Sequence, residues 1–427
     1  MFKLLEEISG ASVSFVFEDV LISAPERATV AGALLCNGFS AIRRSPVSGA
    51  ERGPFCMMGT CFECLVQNMA QAGVEHVSGA TVWNVDEYGT ITYSIDSHAR
   101  KLRGKHIIIA SGAIERPVPL PGWTLPGVMT AGAAQILMKS EGLVAQNAVL
   151  VGSGPLLYLV AAQLLAAGAA PKALVETQTR GGSRNALPHA WRALKDWCQL
   201  VKGLRFFDAL RRAKVRRYKA ATGIEIIGKT AAKAVQFRAG GKKHRIQTDL
   251  VILHQGVVPN TQISRALALD HRFDEVQRCF HPVVDVWGQT SKSLFSIAGD
   301  GAGIGGAKTA ELSGQIAALN AQVQIGLLTD EARDALAVGT LKERKAALSI
   351  RPFLDALYAP PLDILLPPDE VIVCRCEEVR AGDIRRFAAL GCSGPNRTKV
   401  FSRCGMGPCQ GRNCGLLVRK FWLRKMV

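Results

Sequence analysis

The sequence of 427 residues has few aromatic residues, and its acidic residues are outnumbered by basic ones. Phe, Trp and Tyr make up 6% of the chain, and 35 Asp and Glu stand against 52 Lys and Arg, a formal net charge of +17. The motifs of nucleic-acid-binding folds, such as zinc fingers or aromatic RNA-binding strands, do not occur. We therefore expect no nucleic-acid partner. The charge instead favours an acidic protein, a phosphorylated cofactor or an anionic membrane surface.

We also expect neither an export signal nor a membrane-spanning helix. Lys3 is followed by two glutamates, and the first apolar stretch is interrupted by Glu18 and Asp19, whereas a signal peptide has an unbroken apolar core. Residues 142–171 carry no charge and are long enough to cross a bilayer, but a turn at 152–155 with two glycines and a proline interrupts them. A buried strand, a glycine turn and a helix explain this stretch better. The sequence predicts a cytoplasmic protein, at most peripheral on the inner face of the membrane.

Eight of the twelve cysteines fall into two groups. In a chain without an export signal, grouped thiols indicate metal ligands rather than disulfides. The first group, Cys56-x4-Cys61-x2-Cys64, has the spacing of plant-type ferredoxins. A [2Fe–2S] cluster needs a fourth thiolate, and no further cysteine occurs before Cys198. These three residues are therefore predicted to form a second, incomplete metal site.

The second cysteine group lies in a glycine-rich stretch near the C-terminus. Cys374 and Cys376 precede a loop that carries Cys404, Cys409 and Cys414. Thiolates on two glycine-rich loops suit an iron–sulfur cluster, because backbone amides can then reach the sulfides. We predict that Cys374, Cys376, Cys404 and Cys409 bind [2Fe–2S], with Cys414 as the substitute for either of the last two. A structural zinc ion is the alternative.

The uncharged stretch contains a glycine turn typical of dinucleotide binding. Gly152-Ser-Gly154 lies between a predicted strand and a predicted helix, and Glu176 ends the next strand. In such units the first glycine makes the tight turn, the second lets backbone amides reach a pyrophosphate, and the acid binds a ribose hydroxyl. Leu157 replaces the third glycine, so a unit that keeps the fold without binding a nucleotide is the alternative. NAD(P) is a secondary prediction.

Three further turns at strand ends carry small or polar residues that suit a cofactor. They contain Ala110, Ser111 and Gly112, then Gly256 and Asn260, then Gly299 and Asp300. With the first turn, these motifs resemble the flavoprotein disulfide-reductase superfamily, which has two dinucleotide-binding domains. The resemblance implies that Asp300 contacts the ribityl chain of FAD and that the helix after it faces the phosphates. A helix-capping role is the alternative for Asp300.

Longer stretches of the chain carry a more specific resemblance. They are SGATVWNVDEYGTITYS, SGAIERPVPLPGWTLPGVMTAGAAQIL, GSGPLLYL, AGDGAGIGGAKTAELSGQIAA and CRCEEV with RCGMGPCQGRNCG. Residues from about 70 to 427 resemble the large flavin and iron–sulfur subunit of the family of opine oxidase, hydrogen cyanide synthase and dye-linked proline dehydrogenase. Residues from about 13 to 67 resemble a truncated form of the small [2Fe–2S] ferredoxin-like subunit of the same complexes.

This resemblance implies an α/β protein with the FAD/NAD(P)-binding two-dinucleotide-domain (disulfide-reductase-like) fold. The fold is expected to be incomplete at its N-terminus, because no glycine fingerprint precedes Ile107. A partial ferredoxin-like α+β segment is expected before it, and a small bacterioferritin-associated-ferredoxin-like (BFD-like) [2Fe–2S] domain after it. The predicted units are residues 1–67, residues 68–326 with an inner Rossmann unit at 143–255, a helical linker at 327–368, and residues 369–427.

The resemblance also implies an electron-transfer oxidoreductase subunit that binds FAD and [2Fe–2S]. In the family, an FAD-dependent amino-acid-oxidase-like partner subunit oxidises a C–N bond of a CH–NH or CH–NH2 donor. Electrons then pass through flavin and iron–sulfur centres toward a membrane acceptor. No Ser-His-Asp or paired-carboxylate arrangement is discernible, so we predict no catalytic residue in this chain. A truncated, non-enzymatic fusion and an NAD(P)H-dependent flavin reductase are the alternatives.

One strongly basic segment is not explained by these motifs. Residues 205–219 contain seven Lys or Arg residues interleaved with apolar ones, an amphipathic pattern. A solvated helix face is one interpretation, and a surface for an acidic partner or anionic lipid is the other.

Overall fold

The computed structural model describes residues 2–4, 12–17, 20–25, 30–39, 43–44, 51–52, 74–77 and 79–423. The predicted first metal site, Cys56, Cys61 and Cys64, lies outside these residues. Within the described ranges, no helix combines the length and the hydropathy that a bilayer span requires.

The described chain contains both strands and helices, as expected of an α/β protein. The strands are β1 (Phe2–Leu4), β2 (Ser12–Phe17), β3 (Val20–Pro25), β4 (Arg43–Arg44), β5 (Glu51–Arg52), β6 (Thr81–Val85), β7 (Thr90–Ile95), β8 (His98–Arg103), β9 (Ile107–Ile109), β10 (Ala113–Glu115), β11 (Val128–Thr130), β12 (Leu143–Ala145), β13 (Val149–Ser153), β14 (Ala173–Glu176), β15 (Arg216–Tyr218), β16 (Thr222–Ile227), β17 (Ala234–Ala239), β18 (Lys242–Gln247), β19 (Val251–Gln255), β20 (Val257–Pro259), β21 (His271–Asp274), β22 (Cys279–Pro282), β23 (Phe295–Ile297), β24 (Ile372–Cys374) and β25 (Val379–Arg380). The helices are α1 (Val30–Cys36), α2 (Ala131–Ser140), α3 (Pro155–Ala166), α4 (Arg180–Ala186), α5 (Ala190–Ala193), α6 (Trp197–Arg212), α7 (Gln262–Ala266), α8 (Ala307–Gln324), α9 (Asp330–Ala347), α10 (Arg351–Leu357), α11 (Leu362–Leu365), α12 (Ala381–Ala389), α13 (Pro395–Ser402) and α14 (Gly415–Leu423).

A five-stranded parallel sheet, in the order β11-β19-β13-β14-β15, forms the centre of the predicted inner Rossmann unit. Strands β13 and β19 are buried along their whole length, because both faces of the sheet are covered. One face packs against leucines of α2, α3 and α6, and the other packs against the antiparallel strands β16 and β17. The continuous apolar stretch is therefore a buried β-α-β unit, as predicted.

A second pair of strands holds the predicted flavin side. Strand β9 pairs in parallel with β23, so that the turns after Ile109 and Ile297 leave the same edge. The antiparallel pair β10 and β20 connects this side to the five-stranded sheet, since β10 follows the first of these turns and β20 follows β19. The predicted cofactor turns after β9 and β23 therefore lie at the same end of this strand pair.

The C-terminal residues form a small unit that packs against the Rossmann unit. Its core contains cysteines together with residues of α12 and α14, including Ile384 and Leu417. The indole N–H of Trp123 donates to the carbonyl of Ile372 at 2.7 Å, and the guanidinium of Arg375 lies 5.6 Å from the same ring. These contacts fix the start of the cysteine-bearing segment to the loop after β10.

The tight contact between β13 and β19 predicts how one glycine behaves. Gly152 has a φ of 139°, and a Cβ there would lie 1.6 Å from the carbonyl oxygen of His254. We expect Gly152→Ala to lower the free energy of unfolding by about 2 kcal/mol or more, because one of the two strands must shift. Urea denaturation measures this change.

The matched control is Gly203→Ala, inside α6, where an added Cβ meets nothing within 4 Å. That change should raise the stability by roughly 0.5–1 kcal/mol, because alanine favours a helix. Equal stability of the Gly152→Ala protein and the wild type would contradict the close strand contact.

Candidate cofactor and metal sites

The three predicted turns on the flavin side lie close together. Ala110 follows β9, and the Ser111 hydroxyl donates to the carbonyl of Asn260 at 3.0 Å. The N–H of Asn260 donates to the Gly112 carbonyl at 2.9 Å. A Cβ on Gly301 would lie 3.4 Å from the Ser111 hydroxyl, so glycine leaves this edge open. Small residues and backbone amides thus surround one end of the β9 and β23 pair.

Asp300 organises the loop that leads into α8. One carboxylate oxygen accepts the N–H groups of Gly305 and Gly306 at 2.8 and 2.9 Å. Gly299, just before it, has a φ of 68°, a conformation that favours glycine. Asp300 therefore orders the loop before α8 but does not cap the helix, whose N-cap residue is Gly306 and receives no side-chain hydrogen bond. The second carboxylate oxygen of Asp300 lies outside these two bonds.

The predicted nucleotide turn is formed by residues at the ends of neighbouring strands. Gly152 pairs with Glu176 across β13 and β14, and Gly154, with a φ of 117°, directly precedes α3. Gly256 also lies on this side, because its amide nitrogen is 4.0 Å from where a Cβ on Gly154 would stand. The structure therefore separates Gly256 from Asn260, although both belong to one predicted turn.

Glu176 is held by an ion pair rather than left open for a ribose. Its carboxylate accepts from Arg217 Nε at 2.6 Å, and the Arg217 guanidinium lies 4.6 Å from the Phe207 ring. Burial lowers the pKa of Arg217, but the hydrogen bond and charge of Glu176 outweigh burial and raise it. Both residues line a cavity of about 790 Å³ that also contains Lys219. A nucleotide here would have to share Glu176 with Arg217.

A buried carboxylate and a buried imidazole, which were not predicted from the sequence, link β10 on the flavin side to β19 of the five-stranded sheet. His254 Nδ1 lies 2.6 Å from Glu115, whose other oxygen accepts the Gly132 N–H at the start of α2, also at 2.6 Å. A Cβ on Gly154 would lie 3.4 Å from His254 Nε2. Glu115 lies in SGAIERP, the start of one of the stretches that carry the family resemblance, so the sequence marks this region. Nothing in the sequence, however, pairs Glu115 with the distant His254.

The second cysteine group gathers in three dimensions. The thiols of Cys374, Cys404 and Cys414 all lie within 4.8 Å of one another and are buried. Cys376 and Cys409 are partly buried, and their thiols interact with each other. Cys414, predicted as a substitute ligand, is therefore part of the tightest group.

The thiols strongly influence one another's ionisation. Hydrogen bonds from Cys404 and Cys414 hold the pKa of Cys374 well below its usual range. The same contacts with Cys374 raise the pKa of both Cys404 and Cys414. One thiolate is easily formed here and further ones are opposed by its charge, so a bound cation is needed to ionise the set. This donor set fits a thiolate-bound metal or cluster.

A small cavity lies between the flavin side and the thiols. It has a volume of about 200 Å³, and its lining includes Asn260 together with Cys404 and Cys414. Arg265 and Arg419 also line it. The Gln262 amide donates to the Gln410 carbonyl at 3.2 Å beside it. The two predicted redox sites therefore share one cationic cavity.

Comparison with known proteins gives a match to one domain family and matches to individual proteins. Residues 10–91 match a family described as a 2Fe-2S iron-sulfur cluster binding domain, which reaches beyond the predicted boundary at residue 67. The A subunit of opine oxidase from Rhizobium meliloti (strain 1021) is 44% identical over 82% of this chain and 77% of its own length. Its counterpart from Agrobacterium tumefaciens (strain Ach5) is 38% identical over 88% and 76%.

Two further matches extend the range of relatives. The HcnB subunit of hydrogen cyanide synthase from Pseudomonas protegens is 31% identical over 75% of this chain and 69% of its own length. The crystal structure of L-proline dehydrogenase from P. horikoshii covers 98% of this chain and 93% of its own, with a TM-score of 0.68 and 15% identity. At that identity the structural match supports the predicted fold class.

The buried lysine beside the cationic cavity predicts a pH dependence. Burial, with the charges of Arg116 and Arg278, lowers the pKa of Lys420 from its ordinary 10.5 to about 7. Above pH 7 the unfolded chain therefore binds this proton more tightly than the folded chain, so stability rises with pH. Burial also raises the pKa of Cys279 to about 11, which lowers stability only above its ordinary value of 9. The lysine effect is thus expected between pH 7 and 9.

We expect Lys420→Met to raise the stability at pH 7 and to reduce the increase between pH 7 and 9, the rest of which comes from the lowered pKa of Cys374 in the metal-free protein. Denaturation at the two pH values measures both. Lys342→Met, at an exposed position of α9, should leave the increase intact. A Lys420→Met protein that keeps the wild-type pH dependence would show that another group causes it.

Proposed function

The chain belongs to the family that contains the A subunit of opine oxidase and the HcnB subunit of hydrogen cyanide synthase, and we propose that it is the flavin and iron–sulfur electron-transfer component of an amino-acid or opine dehydrogenase. The observation that carries the proposal is the shared cavity, with cofactor turns on one side and the C-terminal thiols on the other. The bound groups would supply the transfer of electrons, and the protein positions them and sets their potentials.

The flavin side suits FAD in its chemistry. Ser111, Gly112 and Asn260 would contact the cofactor, and the loop from Gly299 would face its phosphates. The second carboxylate oxygen of Asp300 would accept from a ribityl hydroxyl. The glycine at 301 supports this assignment, because any side chain there would enter the edge beside Ser111.

The C-terminal thiols suit a [2Fe–2S] cluster. Cys374, Cys376, Cys404 and Cys409 remain the proposed ligands, and the contact of Cys414 with Cys374 supports Cys414 in place of Cys404 or Cys409. Four thiolates around one cluster have their charge offset by the iron ions, which removes the mutual repulsion described above. Arg265 and Arg419 along the cavity would favour the reduced, more negative state of either group.

The electron donor and acceptor lie outside this chain. We propose that an FAD-dependent amino-acid-oxidase-like subunit oxidises the C–N bond, and that this chain conveys the electrons toward an acceptor at a membrane, to which it binds peripherally. NAD(P) at Gly152, Gly154 and Glu176 remains a secondary proposal, supported by the cavity beside Glu176. Bleaching of the flavin by NADH alone would favour that reductase function.

The cluster ligands can be tested by serine substitutions in the full chain. Cys374→Ser should remove iron and acid-labile sulfide from the C-terminal site, together with the corresponding EPR signal of the reduced protein. Single substitutions of Cys404, Cys409 and Cys414 identify the remaining ligands, because the spare thiol can be lost without effect.

Cys392→Ser provides the matched control, since Cys392 is a buried cysteine in the core of the same unit. It should keep the iron and sulfide of the wild type. Zinc without sulfide at this site, or cluster loss in the Cys392 variant equal to that in the Cys374 variant, would refute the assignment.

The flavin assignment predicts a loss of affinity in Asp300→Ala. Removing the proposed ribityl contact should weaken FAD binding about tenfold or more, the equivalent of roughly 1.4 kcal/mol. Fluorescence titration with FAD measures this. Asp285→Ala removes a comparable turn aspartate, which accepts the N–H groups of Trp287 and Gln289 at 2.8 Å, and should leave FAD affinity unchanged. Equal affinities in the two variants would contradict the role of Asp300.

A further inference from the structure

The helical segment after Glu176 exposes an unusual number of large apolar side chains. It comprises α4, α5 and α6 with the short turns Leu187–His189 and Leu194–Asp196 between them. Its exposed apolar residues, here called the Trp/Leu stripe, are Leu187 (73% exposed), Trp191 (58%), Leu194 (67%), Trp197 (63%) and Leu204 (66%). Single exposed apolar residues are ordinary on a protein surface, but a run of five on one segment indicates an interaction surface.

Up to Trp197 the segment turns small residues toward the protein and large apolar ones toward solvent, whereas the second half of α6 buries Leu210 and packs Phe206 and Phe207 against the core. Gly182, Ala186 and Ala193 are buried, and a Cβ on Gly182 would lie 2.9 Å from the Leu357 carbonyl of α10. A surface helix normally buries its large apolar side chains. The stripe residues lie four, three, three and seven positions apart on successive short helices and turns of the segment.

The segment and the strand after it are rich in positive charge. Residues 180–219 contain 12 Lys or Arg residues and only two acidic ones. One of these acids, Asp208, is already paired with Arg211 and Arg212 at 2.9 and 2.7 Å. Arg192 and Lys202 are exposed among the stripe residues themselves. The surface thus combines tryptophan, leucine and a local excess of cations.

We propose that the Trp/Leu stripe is the site at which the chain binds the surface of an anionic membrane, an inference that rests on the peripheral association proposed above. Tryptophan and leucine enter the boundary between headgroups and acyl chains, while lysine and arginine contact anionic headgroups. The acids needed for pairing would come from the lipid, since the segment supplies few.

Vesicle sedimentation with the purified full chain tests the proposal. The wild type should bind vesicles of phosphatidylcholine mixed with phosphatidylglycerol, should bind phosphatidylcholine alone at least tenfold more weakly, and should lose binding as salt is raised. The double variant Trp191→Ser/Trp197→Ser should lose at least tenfold in affinity for the anionic vesicles. Its unfolding midpoint should match the wild type, because both side chains are largely exposed.

Trp83→Ser is the matched control, since Trp83 on β6 is 61% exposed but lies outside the stripe. It should bind the vesicles as the wild type does. No binding of the wild type to anionic vesicles would overturn the peripheral association itself. Binding by the wild type and by the double variant alike would overturn only the assignment to this stripe. Unchanged vesicle binding by the double variant, with loss of pairing to an oxidase-like subunit, would identify a protein interface instead.

Discussion

The buried guanidinium of Arg116 is the contact on which the arrangement of the cofactor sites depends. It donates to the carbonyls of Gln255, Gln277 and Arg278 at 3.1, 2.6 and 3.1 Å. These carbonyls belong to the end of β19 and to the turn between β21 and β22, so one side chain joins the Rossmann sheet to the hairpin beside the thiol unit. A buried charge is tolerated only when its donors are bonded, and three carbonyls from two segments provide this.

The consequence is a junction in which the two proposed redox sites face a common space. The hairpin fixed by Arg116 brings Cys279 to the wall of the cavity that Asn260 and the thiols also line. Because its surroundings carry several cations, the junction favours groups that gain negative charge on reduction. Its geometry suits electron transfer between two held cofactors.

The sequence predicted the features that depend on local backbone geometry. The glycine turns at 152 and 299 and the apolar strands could be recognised because turns and buried strands have a short-range signature. Contacts between distant residues could not, so the pairing of Glu115 with His254 and the entry of Cys414 into the thiol group emerged only in three dimensions. The boundary between β18 and β19 also depends on a distant contact, because the Thr248 hydroxyl donates to the carbonyls of Asn147 and Leu250.

The central claim is that electrons pass between a flavin and an iron–sulfur cluster across this cavity within one chain. The most direct test is anaerobic photoreduction of the purified, cofactor-loaded protein, with flavin absorption and the EPR signal of the reduced cluster followed together. We expect the cluster signal to rise as the flavin is reduced, and not to rise under the same light in flavin-free protein. A fully reduced flavin beside a cluster that stays oxidised would contradict the claim.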